Sequence, residues 1–101
     1  MKYQLVLQFT VNSLDDFDEL RTLEDELNEY LGTLAAIDGH DCGASESNIF
    51  VLTDEPAPTF EKARRLVGKR GLRGLRAAYR ELTGGEYVIL WPPTLTEFSV
   101  S

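Results

Sequence analysis

Asn48-Ile49-Phe50-Val51-Leu52-Thr53-Asp54 is a short run, apolar on both parities and rich in branched and aromatic side chains. Gly43-Ala44-Ser45-Glu46-Ser47 bounds it on one side and Asp54-Glu55-Pro56 on the other. A run of that length between turn formers reads as a central strand covered on both faces. The rest of the fold is argued outward from it.

Residues 2–12 alternate. Tyr3, Leu5, Leu7, Phe9 and Val11 point one way; Lys2, Gln4, Val6, Gln8, Thr10 and Asn12 point the other. This predicts a half-buried strand with one face toward a core, its register fixed because a slip would wet every apolar side chain. Ser13 then caps a helix, with Asp16 as an acidic variant of the capping box. Leu14, Phe17, Leu20, Leu23, Leu27, Tyr30 and Leu31 form its apolar stripe, and Gly32 stops it. Its other surface is acidic, with Glu24, Asp25, Glu26 and Glu29.

Leu34–Ile37 starts a second strand. It is expected to continue through Asp38–Cys42 with a bulge near Gly39, and Gly43–Ser47 is the hairpin loop into the Asn48–Asp54 strand. Asp38, His40 and Cys42 then share one face, with Asp41 opposite. Beyond Asp54, Pro56 and Pro58 make a rigid connection, and Thr59 is the expected cap of a second helix reaching about Arg70. Phe60, Ala63, Leu66 and Val67 are its apolar side; Lys62, Arg64, Arg65, Lys69 and Arg70 are its basic side.

Residues 71–82 carry two patterns. Leu72, Leu75, Ala78, Tyr79 and Leu82 have helical spacing, but Gly71 and Gly74 oppose a helix. Thr83-Gly84-Gly85-Glu86 reads as a hairpin turn before the strand Tyr87–Trp91, and a tight turn wants a strand before it, so Leu75–Leu82 is read as strand. Residues 94–101 are expected to be a loosely held tail to a domain spanning 1–93. The order is that of an α+β, ferredoxin-like βαββαβ sandwich: an antiparallel sheet, two helices on one face, and an extra C-terminal hairpin strand.

Composition narrows the function classes. At 43% hydrophobic with ten aromatics, the 101 residues can build one core and are not disordered. No apolar run approaches the ~20 residues a membrane helix needs. The alternation beginning at Lys2 argues against a signal peptide, and the single Cys42 fits a reducing compartment, so a cytoplasmic setting is expected. Net charge is −7, unevenly spread. Residues 1–61 hold 14 acids and 2 bases; residues 62–101 hold 8 bases and 3 acids. Either the halves neutralise each other in space, or a dipolar surface steers a charged partner.

Two helices on one side leave the reverse of the sheet open. Val6, with either Ile49 and Val51 or Phe50 and Leu52, would give it apolar character of the kind that marks a partner surface. A second copy of the chain is the first expected occupant, then another protein, then a small ligand. The alternative is that the tail or the extra hairpin folds over it.

Asp38, His40, Asp41 and Cys42 are the one cluster of ligand and nucleophile types. A structural zinc site needs four ligands, and the chain has one His and one Cys, so no metal or other cofactor is expected. A Cys–His nucleophilic pair is conceivable, though same-face residues on a strand are ordinarily only neighbours. Asp54 sits at a strand end before a helix, where acid–base residues occur, but it is expected to serve backbone amides near Pro56. The run Arg64, Arg65, Lys69, Arg70, Arg73, Arg76 and Arg80 raises RNA. The third strand offers only Phe50 for stacking, and the overall charge is negative, so nucleic acid is not the favoured partner.

Asp38-Gly39, Gly43, Asn48–Asp54 and Pro56, followed by Ala78-Tyr79-Arg80 and Gly84–Pro92, resemble small uncharacterised bacterial proteins of ferredoxin-like type over residues 35–93. The resemblance implies the fold and a bacterial cytoplasmic origin; it implies no activity. A remoter similarity is to dimeric α+β-barrel monooxygenases, which pair through their sheets. The leading expectation is a non-enzymatic interaction module, homodimeric or binding another protein, such as a toxin it neutralises, through the open sheet face and the acidic helix, with Asp38, His40, Phe50, Leu52, Asp54, Arg76 and Arg80 as candidate binding residues. The rivals are a small enzyme using His40 with Asp38 or Asp54 as acid–base, and an RNA binder using Arg64–Arg80.

Overall fold

A computed structural model describes residues 1–10, 14–43, 45–70 and 74–100; in the first helix, side chains are described from residue 18 onward. Among these the chain forms β1 (Tyr3–Thr10), α1 (Leu14–Leu31), β2 (Ala35–Cys42), β3 (Glu46–Thr53), α2 (Pro56–Arg70), β4 (Arg76–Glu81) and β5 (Gly84–Trp91). The strands make one antiparallel sheet in the order β2-β3-β1-β4-β5. This α+β architecture is compatible with a ferredoxin-like fold, its order departing from the four-stranded form by β5 beyond β4.

One core joins both helices to a single side of the sheet. Leu5, Leu7 and Phe9 of β1, Ile49 and Val51 of β3 and Ala77 of β4 meet Leu20, Leu23, Leu27 and Leu31 of α1 and Phe60, Ala63 and Val67 of α2. The alternation of β1 and the three- and four-residue spacing of α1 bring these residues together, as expected. α1 stops at Gly32, whose φ of 57° suits a residue without Cβ. The Ser13 cap lies outside the described residues.

β1 is the middle of the five strands and β3 lies inside the sheet between β2 and β1, the interior positions that the βαββαβ order implies for the first and third strands. Leu5, Val6, Leu7, Gln8 and Phe9 are all buried, whereas Phe50 and Leu52 on the reverse side of β3 are only half-buried. The alternation misleads because Val6 and Gln8 point away from the helices yet are buried, Gln8 against the Ser99 carbonyl of the tail. The second correction concerns α2, which begins at Pro56 rather than after Thr59. Thr59 N–H donates to Glu55 C=O at 3.1 Å, so Glu55 closes the first turn. A proline at the first helical position loses nothing, since its missing N–H would be unpaired there anyway. Thr59 instead turns inward, its hydroxyl 2.8 Å from that of Thr53.

β2 has its irregularity between Ile37 and Gly39, as the sequence suggests. Residues 76–81 are strand, but the tight turn before β5 is Leu82-Thr83, not the glycine pair. Gly84 and Gly85, with φ of 111° and 109°, open β5 and absorb a register shift against β4. Extra residues in a strand need such backbone freedom as much as a turn does.

Candidate functional site

Cross-strand register sorts the side chains into rows. On the reverse side, Asp41, Asn48, Gln8 and Arg76 form a polar row across four strands. Beside it runs an apolar row of Gly39, Phe50, Val6, Ala78 and Ile89, then Ala36, Leu52, Gln4 and Arg80. Phe50, Leu52, Arg76 and Arg80 thus do share a face. That face is less open than the sequence suggests. The large apolar side chains that stand exposed among the described residues are Met1, Tyr30, Leu82 and Val88, and none belongs to these rows.

The C-terminal segment closes one end of the reverse face. Gln8 Nε2–H donates to Asn48 Oδ1 and to Ser99 C=O, both at 3.0 Å, committing both amide hydrogens. Phe98 meets Tyr87 edge-on with ring centroids 5.0 Å apart, and the Arg80 guanidinium lies over the Tyr87 ring, 4.7 Å from its centroid. Between sheet and tail lies a cleft of about 650 Å³ whose lining includes Glu46, Arg76, Glu86 and Glu97.

The opposite edge, where α1 covers β2 and β3, holds the rest of the expected cluster. His40 projects from β2 toward α1, and its Nδ1 lies 3.0 and 3.3 Å from the two oxygens of Glu24. The carboxylate can only accept, so Nδ1–H points at Glu24 and the ring's orientation is set by that contact. Cys42 follows two residues later on the same side, and register places it opposite Ser47. Asp38 sits further along the edge in a shallow cleft with Glu24, Asp25 and Asn28. His40 therefore pairs with Glu24, not with Asp38 or Asp54. Asp54 lies beside the N-terminus, where it accepts from the Lys2 backbone N–H at 2.8 Å.

Charge is partly reconciled across the helices. Arg70 of α2 bridges Glu19 and Glu26 of α1. Other cations of the second half lie over aromatic rings: Arg64 on Trp91 at 4.5 Å, Lys62 on Tyr30 at 5.1 Å. Arg64 and Arg70 stand on the helix side and Arg76 and Arg80 on the reverse side, so they do not make one basic stripe; Arg73 lies outside the described residues. Asp18, Asp25, Glu29, Asp38 and Asp41 are exposed and make no ion pair among the described residues.

Sequence reasoning missed Glu24, Ser47 and Gln8, and it held the tail over the reverse face only as its alternative. Glu24 looked like one more solvated acid on a helix. Gln8 and Asn48 carried a signal that could have been read: amides inside otherwise apolar strands, at positions that pair if the strands are antiparallel neighbours. Among the described residues, no helix is long and apolar enough to cross a membrane. No family model matches the sequence, and no curated protein or solved structure matches it either.

Proposed function

We propose that this protein is a non-enzymatic interaction module built on a ferredoxin-like βαββαβ unit extended by β5, working in a reducing, cytoplasmic setting. The docking surface is the acidic edge formed by α1 and β2, and the partner is a protein with a basic face. One observation carries the reading: among the described residues, folding pairs Arg70 with Glu19 and Glu26 but leaves Asp18, Asp25, Glu29, Asp38 and Asp41 without ion pairs. An edge on which exposed acids outnumber the single exposed Arg21 raises the encounter rate with a basic surface. The reverse face is the less favoured surface, because a partner there would compete with Phe98 and Ser99.

Titration of the protein with a Lys/Arg-rich peptide by calorimetry tests this. Binding should weaken steeply as salt rises, since exposed charges are screened beyond ~10 Å at 0.1 M. Asp25→Lys with Asp38→Lys should slow association. Absence of binding at low ionic strength, or equal binding by the reversed variant, overturns the proposal.

A further inference from the structure

The chain beyond β5 returns over the reverse face of the sheet. It turns at Pro92, whose C=O accepts from Leu95 N–H at 3.0 Å, and residues 96–100 then cross from β5 toward β1 with no helix or strand of their own. Two contacts hold the crossing. The Phe98 ring meets Tyr87 of β5 edge-on, and the Ser99 C=O accepts from Gln8 Nε2–H of β1. β4 lies between those strands, and its Arg76 stands directly opposite Gln8 in register. Arg76 is exposed, lines the cleft of about 650 Å³ under the crossing, and makes no ion pair among the described residues. Glu97 of the tail lines the same cleft without pairing to it. The tail therefore engages an aromatic ring and an amide donor of this face and leaves a guanidinium unanswered.

We propose that residues 96–100 are a self-ligand guarding a peptide-binding groove, and that the groove's partner is a short segment of another protein carrying an aromatic side chain followed by a carboxylate. The tail displays the first half of that chemistry: a ring on Tyr87 and, one residue later, a main-chain carbonyl on Gln8. Arg76 supplies the second half. An arginine–carboxylate pair is charge-assisted and forked, and is stronger than a neutral hydrogen bond, so a segment that makes it competes well against one that does not. Glu46 and Glu86 also line the cleft, which limits the class to one acid beside the aromatic and excludes a polyacidic run. The guard works by competition. Tyr87 and Gln8 cannot serve two segments at once, so the partner's apparent affinity falls with the fraction of molecules whose tail is undocked. This groove is separate from the acidic α1–β2 edge, and its ligand has the opposite charge.

The probe is a fluorescein-labelled peptide with the order of residues 94–100 in which the serine after the phenylalanine is aspartate; a second peptide keeps the serine. Both are titrated against the full chain by fluorescence polarisation. The aspartate peptide should bind about 10-fold more tightly than the serine peptide, and Arg76→Gln should erase that difference. Phe98→Ala in the full chain should tighten both peptides by about 2–12-fold, the worth of the aromatic pair that the guard loses. Ser99→Asp in the full chain should weaken both, because the guard then answers Arg76 itself. Bound peptide should shift the Gln8 side-chain amide resonance. Absence of binding to the Phe98→Ala chain at millimolar peptide, or binding no tighter than to the intact chain, overturns the guard. Equal binding of the two peptides, or a preference that Arg76→Gln leaves in place, overturns the ligand class. An unmoved Gln8 resonance puts the peptide elsewhere and overturns the groove. Phe98→Ala should leave binding of the Lys/Arg-rich peptide unchanged, so this proposal and the acidic edge fail separately.

Discussion

The two sides of the sheet are closed by different forces. On the helix side Leu5, Leu7 and Phe9 lie under Leu23, Leu27 and Val67, and closure is interlocking apolar volume. On the reverse side closure rests on directed contacts: the Gln8 amide on Asn48 and Ser99, the Phe98 ring on Tyr87, the Arg80 guanidinium on the same tyrosine. Apolar burial is non-directional and scales with area, so the helix side should lose stability with every methylene removed. Directed contacts are few, so the reverse side should fail at particular atoms and tolerate change elsewhere.

Four measurements would break or sharpen that contrast. Leu27→Ala, at a fully buried position under the sheet, should cost about 2–5 kcal/mol in urea unfolding. A loss below 1 kcal/mol would mean the helix side is not the tightly packed one. Asn48→Ala should cost about 1–3 kcal/mol, because it strips the Gln8 amide of a partner in a buried place. Deleting residues 96–101 should cost about 1–3 kcal/mol, the sum expected of one neutral hydrogen bond and one aromatic pair, and should shift the Gln8 side-chain amide resonance. An unchanged resonance would show that Ser99 does not receive that donor in solution. Arg70→Met should cost least, about 0.2–1 kcal/mol, with the difference shrinking as salt is added, since exposed ion pairs contribute little.

The same contrast explains what could be read in advance. The helix side was legible at the level of single elements. Leu5, Leu7 and Phe9 alternate, Leu20, Leu23, Leu27 and Leu31 recur at helical spacing, and each pattern predicts its own buried face without knowledge of any other. The reverse side was not. Nothing near Gln8 in the chain announces that its carbonyl partner is Ser99, 91 residues away. The same holds for the candidate site. The sequence could set His40 and Cys42 on one face of β2, but Glu24 and Ser47 come to them from α1 and β3.

The amino-acid order alone determined the elements, the bulge near Gly39, the shared side of both helices and the lopsided charge. These follow from steric and apolar preferences acting over a few neighbouring residues. Tertiary structure alone decided that Gln8 is buried, that Leu82-Thr83 makes the turn, and that Glu24 holds His40. Each of those depends on which distant segments exclude water together, and an amide or a carboxylate reads as solvent-facing until its partner arrives from elsewhere in the chain.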